Sequence, residues 1–168
     1  MKKLLPLLLL VAGCGRGDQP ADDRAAAEGR VAAPAAGAPA AAAASASLTG
    51  LYEGGAGAQK NQLCIVEKGK EARFGLLVWG ANLHSCSGAG QAVREGERLS
   101  LRMTGDETCT IAATMKDGVV SLPQTLPTGC AYYCGARASL AGARFTRTSA
   151  TEADAHKATD IAGDPLCD

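Results

Sequence analysis

Aromatic residues are scarce. One Trp, three Tyr and two Phe make up 4% of 168 residues, while Gly alone contributes 21, so a core must be built mainly from small aliphatic side chains. Charge of one sign is lacking too, since 17 Lys and Arg face 17 Asp and Glu. A nucleic-acid binder needs a basic footprint and a polybasic membrane-surface protein needs clustered Lys and Arg, so neither class fits and no nucleic acid is expected as a partner. No apolar run approaches the ~20 residues of a spanning helix. The length covers one to two domains.

Catalytic signatures are also missing. There is no GxSxG elbow and no HExxH, and the stretch from Gly54 to Lys60 lacks the spacing of a phosphate loop. A Ser–His–acid triad would have to recruit His84 or His156, the two histidines of the chain. His84, beside Ser85, reads as a strand-end residue. Glu152 and His156 are four apart and share a helix face that reads as solvated. Glu95 with Glu97, and Asp106 with Glu107, fall in predicted turns, not in the cleft that paired carboxylates require. No catalytic residue, metal site or cofactor is assigned, and the expected function is not enzymatic.

The N-terminus has a pattern of its own. Met1-Lys2-Lys3 precedes an apolar run from Leu4 to Ala12, broken only by Pro6, which reads as an export signal. Its end, Val11-Ala12-Gly13-Cys14, resembles the bacterial lipoprotein signal. That resemblance implies cleavage before Cys14, a covalent lipid on its thiol and attachment to the cell envelope. Gly15, where an Asp would imply inner-membrane retention, points to the outer membrane, facing the periplasm. Residues 1–13 are then the signal peptide. Residues 14–47 are the lipidated Cys and an Ala- and Pro-rich tether: 15 of the 27 residues from Ala21 to Ser47 are Ala. Such a segment cannot bury enough apolar surface to offset its ordering entropy.

From Leu48 the composition changes. Short apolar runs, period-two alternation and regular turn signals predict an all-β domain over residues 48–147. Leu63 to Val66 and Arg73 to Trp79 are apolar strands. Arg98 to Met103 alternates cleanly, with Leu99, Leu101 and Met103 inward. Leu83 to Cys86 and Gln91 to Arg94 read as strand pieces around a Ser87–Gly90 bend. Asp117-Gly118 is a hairpin signal, and Pro123 and Pro127 break the pattern before a last strand from Ala143 to Arg147. The expected fold is a small antiparallel barrel of seven or eight strands, with a sandwich as the alternative. Pairing the Gly50-Leu51-Tyr52 strand with the last one would remove two exposed edges. The polar tail, residues 148–168, is expected to be partly helical from Glu152 to Lys157 and pinned by Cys167.

Beyond Cys14 six cysteines remain: Cys64, Cys86, Cys109, Cys130, Cys134 and Cys167. An even number in an exported chain reads as disulfides, each contributing typically ~2–4 kcal/mol. Cys130 and Cys134 lack the two-residue spacing of redox pairs and metal sites, and are expected to tie their loop to different strands. The sequence alone does not choose among the pairings of six cysteines; one arrangement it allows gives Cys109 to one of Cys130 and Cys134, joins Cys64 to Cys86 as a second bridge and leaves Cys167 the remaining loop cysteine.

The segment from Cys109 through Cys130, Cys134-Gly135 and Gly142 to Phe145 resembles small exported β domains grouped with bacterial lysozyme inhibitors. Ser87-Gly88-Ala89 is similar to the Ser-Gly-Ala loop of the membrane-bound inhibitors of c-type lysozyme. That family has a Tyr where Gln91 stands here, and its later Lys-Gly has Glu95-Gly96 as the nearest counterpart. The resemblance implies a binding loop of Ser87, Gly88, Ala89 and Gly90, with Arg94 or Arg98 near acidic groups of a lysozyme partner. The alternative is a structural or assembly lipoprotein of the envelope with no extracellular ligand.

Overall fold

The computed structural model describes residues 47–168, and Cys14, the expected signal segment and nearly all of the expected tether lie outside them. Eight strands follow in chain order: β1 (Gly50–Gly54), β2 (Asn61–Lys68), β3 (Glu71–Trp79), β4 (Ser85–Glu95), β5 (Arg98–Met103), β6 (Thr110–Lys116), β7 (Val119–Ser121) and β8 (Arg144–Ser149). Each pairs antiparallel with its neighbours, and β8 returns to β1 to close a barrel. Closure joins Leu51 to Ser149, Tyr52 to Arg147 and Glu53 to Thr146. These are the first and last strands matched in the sequence, and their pairing leaves no open sheet edge. The fold is the barrel and not the sandwich.

Period-two alternation decides what points inward. Leu99, Leu101 and Met103 of β5 and Ile111, Ala113 and Met115 of β6 are buried, while Arg98, Arg102, Ala112 and Lys116 between them are exposed. Tyr52, Leu63, Ile65, Phe74, Leu76 and Phe145 complete the interior, each fully buried side chain of this size stabilising by roughly 1.5–3 kcal/mol. An apolar interior behind a wall bearing Arg98, Arg102 and Lys116 is the reverse of a lipid-facing barrel. Among the described residues no helix is long and apolar enough to cross a membrane.

Ser87-Gly88-Ala89-Gly90 is not a bend. It is the middle of β4, a continuous strand of 11 residues, in register with Leu77 to Phe74 of β3. Gly88 makes room for the barrel interior, since a Cβ there would lie 2.3 Å from Met103 Cε and 2.9 Å from Tyr133 Cδ1, and Gly90 allows the close approach of β5, since a Cβ there would stand 1.9 Å from the Arg102 carbonyl oxygen. The inner face of β4 is kept small so that larger side chains from its neighbours fit beneath it. The expected strand piece beginning at Leu83 is also displaced: Ala81–Leu83 is a 3-10 turn, and the strand starts at Ser85.

The two ends of the barrel differ. One has tight turns after β2, β4 and β6, among them Asp117-Gly118, with φ of 50° and 76°, the left-handed pair that a two-residue hairpin requires. The other end carries the long connections, above all the excursion from Leu122 to Ala143 between β7 and β8, with a 3-10 segment at Thr128–Tyr133. Two disulfides tie this excursion down: Cys109–Cys130 and Cys86–Cys134. The third, Cys64–Cys167, fastens the tail to β2. A Cys64–Cys86 bridge is therefore wrong, and Cys167 does not take a loop cysteine. Cys64 faces outward from the barrel, beneath the tail, whereas Cys86 faces inward among the core residues, so the two cannot meet.

The tail forms a second, smaller core on the outside of the barrel. Helix α1 (Glu152–Ala155) and the chain after it bring Ala155, Ala158, Leu166 and Cys167 against Cys64, Val66 and Leu77. Leu51 and Trp79 flank them. This is why β2 and β3 have consecutive buried residues where β5 alternates. Gly75 is the crossing point, for a Cβ there would stand 2.1 Å from the Leu166 carbonyl oxygen.

Candidate binding surfaces

Two of the four exposed large apolar side chains among the described residues stand at the end with the long connections, the others being Val93 and Ile161. Leu83 is 67% exposed and Tyr132 77% exposed. Leu83 and the preceding Asn82 both have left-handed backbones, with φ of 62° and 55°, a conformation that costs a non-glycine residue roughly 1–2 kcal/mol. Backbone strain that displays a leucine to solvent is a pattern associated with functional sites.

This strained turn is held in place from both sides. The Gly80 amide donates to the His84 carbonyl at 2.7 Å, the Ala81 amide to the Arg137 carbonyl at 3.1 Å and the Gly135 amide to the Ser85 carbonyl at 2.9 Å. Tyr133 anchors the excursion from the other direction. Its hydroxyl donates to the Thr104 carbonyl at 2.9 Å and accepts from the Asp106 amide at 2.7 Å. Tyr132 meets it edge to face, ring centres 5.2 Å apart, and points outward. Between these supports the excursion encloses a hollow of about 440 Å³, lined mainly by Leu126, Pro127, Ala131, Ala138 and Leu140 and by the two stapled cysteines. That is within the range of small-ligand and side-chain pockets.

The opposite end is closed by the start of the domain. Leu48 is buried there, its amide donating to Glu67 Oε2 at 3.0 Å, and Tyr52 donates its hydroxyl to the Leu48 carbonyl at 2.6 Å. The Arg147 guanidinium lies 5.7 Å from the Tyr52 ring centre, and burial raises the Tyr52 hydroxyl pKa. Arg147 Nε is buried without a hydrogen-bond partner among the described residues.

The residues singled out in the sequence scatter over the barrel. Ser87 and Ala89 point outward from β4, while Gly88 and Gly90 face its interior. Arg94 donates to the Gly96 carbonyl at 2.7 Å across its own turn, and Arg98 projects from the outer wall of β5. Thus the four residues do not form a protruding loop. His84 is half-buried beside Gly135, and His156 bridges the tail, its Nδ1 against the Cys167 carbonyl and its Nε2 3.4 Å from Glu152. Glu95 and Glu97 sit at the tight-turn end, Glu97 3.7 Å from Lys116, and Asp106 at the other end. Asp106 accepts from the Thr108 hydroxyl and amide, which hold its carboxyl below the usual range. Among the described residues no three His, Cys, Asp or Glu side chains gather in a metal-binding group. The sequence singles out neither Leu83 nor Tyr132, although adjacent tyrosines in a loop of small residues are a signal in so aromatic-poor a chain. The chain matches no protein-family model, no curated protein and no solved structure.

Proposed function

We propose that this protein is an envelope lipoprotein, anchored through Cys14 at the outer membrane, whose barrel works by binding a macromolecule and not by catalysis. The observation that carries this reading is the strained, doubly stapled loop end that holds Leu83 and Tyr132 exposed. A rigid scaffold that displays apolar anchors at a loop end is where recognition sits. Three disulfides in one small domain agree with an oxidising compartment outside the cytoplasm. The resemblance to lysozyme inhibitors makes a c-type lysozyme the first partner to try. Since Ser87–Gly90 lie inside a strand, this reading assigns the contact to the loop end in place of a Ser-Gly-Ala loop.

Inhibition of a c-type lysozyme by the disulfide-intact protein tests this directly. Tyr132→Ala is expected to weaken inhibition by roughly tenfold or more, as for a central aromatic anchor. Leu83→Gly is expected to weaken it as well while raising the melting temperature, because glycine relieves the left-handed strain. Equal inhibition by wild type and both variants would remove the loop end from the reading, and no inhibition at all would remove the lysozyme.

A further inference from the structure

The outer wall of β4–β6 carries an arrangement that the loop-end reading does not use. Outward side chains form three rows across the paired strands: Glu95–Arg98–Thr114, Val93–Ser100–Ala112 and Gln91–Arg102–Thr110. The middle row has small residues at its centre, so the wall sinks into a trough of about 540 Å³ between Arg98 and Arg102. Val93, 59% exposed, flanks it. Neither the Arg98 nor the Arg102 guanidinium has a hydrogen-bond or ion-pair partner among the described residues. Glu95 contributes a carboxylate, so two guanidiniums against one carboxylate leave the lining at net +1.

We propose that this trough is a second binding site, for an extended peptide segment with two carboxylates four residues apart and an apolar side chain midway. A closed barrel offers no sheet edge to which a peptide could add as a strand, so an extended segment has to lie on a wall. The β1–β3 wall is occupied by the tail, and the β4–β6 wall is open. In an extended segment residues i, i+2 and i+4 face the same side. Four residues span ~13 Å at about 3.3 Å each, which is also the separation of Arg98 and Arg102 along β5. The outer carboxylates then meet the two planar guanidiniums, which favour carboxylate in a two-pronged geometry. The middle apolar side chain rests over Ser100 and Ala112 against Val93. Glu95 and Glu97 at the rim oppose a uniformly anionic membrane surface.

Fluorescence anisotropy decides it, using fluorescein-labelled Gly-Glu-Ser-Leu-Ser-Glu-Gly as the probe and the disulfide-intact full chain as the receptor. Binding is expected to saturate, to weaken with salt, and to fall by roughly tenfold or more in the Arg98→Glu, Arg102→Glu double variant. Ser100→Trp, which fills the trough and keeps both charges, is expected to lose the same binding. Leu83→Gly should leave it unchanged, which separates this site from the loop end. The proposal is overturned by absence of binding, by binding undiminished in the double variant, or by equal binding of a probe with its Glu residues two apart. Charge-sensitive binding to phosphatidylglycerol vesicles in place of the peptide would overturn it too.

Discussion

The wall formed by β1–β3 and the wall formed by β4–β6 belong to one barrel, yet they are built on different rules. On the first, Leu63-Cys64-Ile65-Val66 and Gly75-Leu76-Leu77-Val78 are buried on both faces, because the tail covers the outside and Cys64–Cys167 holds it there. On the second, buried and exposed residues alternate, and the outside carries arginines, threonines and small residues. A continuous apolar strand in a barrel of this kind announces a covering layer, and an alternating one announces a free surface. The tail is thus part of the fold, and the charged wall is what it leaves available for contact.

Removing the tail's fastening should produce the greatest loss. Cys64 and Cys167 are 103 residues apart, and closing a loop of ~100 residues is worth about 4.7 kcal/mol in the chain-entropy picture. The Cys64→Ala, Cys167→Ala double variant should therefore lose roughly 3–5 kcal/mol in urea unfolding; a loss under about 1 kcal/mol would mean that the tail adds little to the fold. Point changes on the two walls should diverge as well. Gly75→Ala drives a methyl into the Leu166 carbonyl and should cost about 1–3 kcal/mol by overpacking. Ala112→Val on the open wall should stay within about 0.5 kcal/mol of wild type. Similar costs at both sites would erase the distinction.

Two smaller effects concern the attachments of the chain at the ends of the barrel. Tyr52→Phe removes the buried hydroxyl that donates to the Leu48 carbonyl, and should cost about 1 kcal/mol in thermal or urea unfolding. The tail helix should respond to acid through Asp154. Its carboxylate accepts from Lys157 at 2.6 Å, Ser149 at 2.5 Å and Thr151 at 2.9 Å. These bonds, Lys157 foremost, hold its pKa well below the ordinary 3.8. A depressed carboxylate stabilises the folded state above its unfolded pKa and loses that contribution as pH falls through the folded one. The tail should therefore loosen below about pH 4, and Asp154→Asn should flatten that dependence when amide exchange of residues 151–158 is followed against pH.

Much of this architecture was legible in the residues. Leu99-Ser100-Leu101-Arg102-Met103 could only be a half-buried strand, and the Asp117-Gly118 turn declared its hairpin. The matching of first and last strands implied closure. Ser87-Gly88-Ala89-Gly90 misled because glycine makes room inside a barrel with the same letters it uses to make a turn, and only the presence of Met103 and Tyr133 beneath Gly88 separates the two cases. Disulfide partners depend on which face of a strand each cysteine occupies. Cys64 lies in a run that is apolar on both faces, so alternation could not reveal that it points outward toward Cys167. Nothing in the Leu83 side chain hints at a left-handed backbone, so the sequence places it in a strand that starts two residues later.

Hydroxyl-radical footprinting of the disulfide-intact protein, read by mass spectrometry at single side chains, addresses the contrast between the walls most directly. Leu77 and Leu166, beneath and within the tail, should be protected, while Val93 on the open wall and Tyr132 at the loop end should be modified readily. In the Cys64→Ala, Cys167→Ala variant, Leu77 and Leu166 should gain modification while Val93 stays as it was. Modification of Leu77 as fast as that of Val93 in the intact protein would contradict the covered wall, and with it the tail's place in the fold.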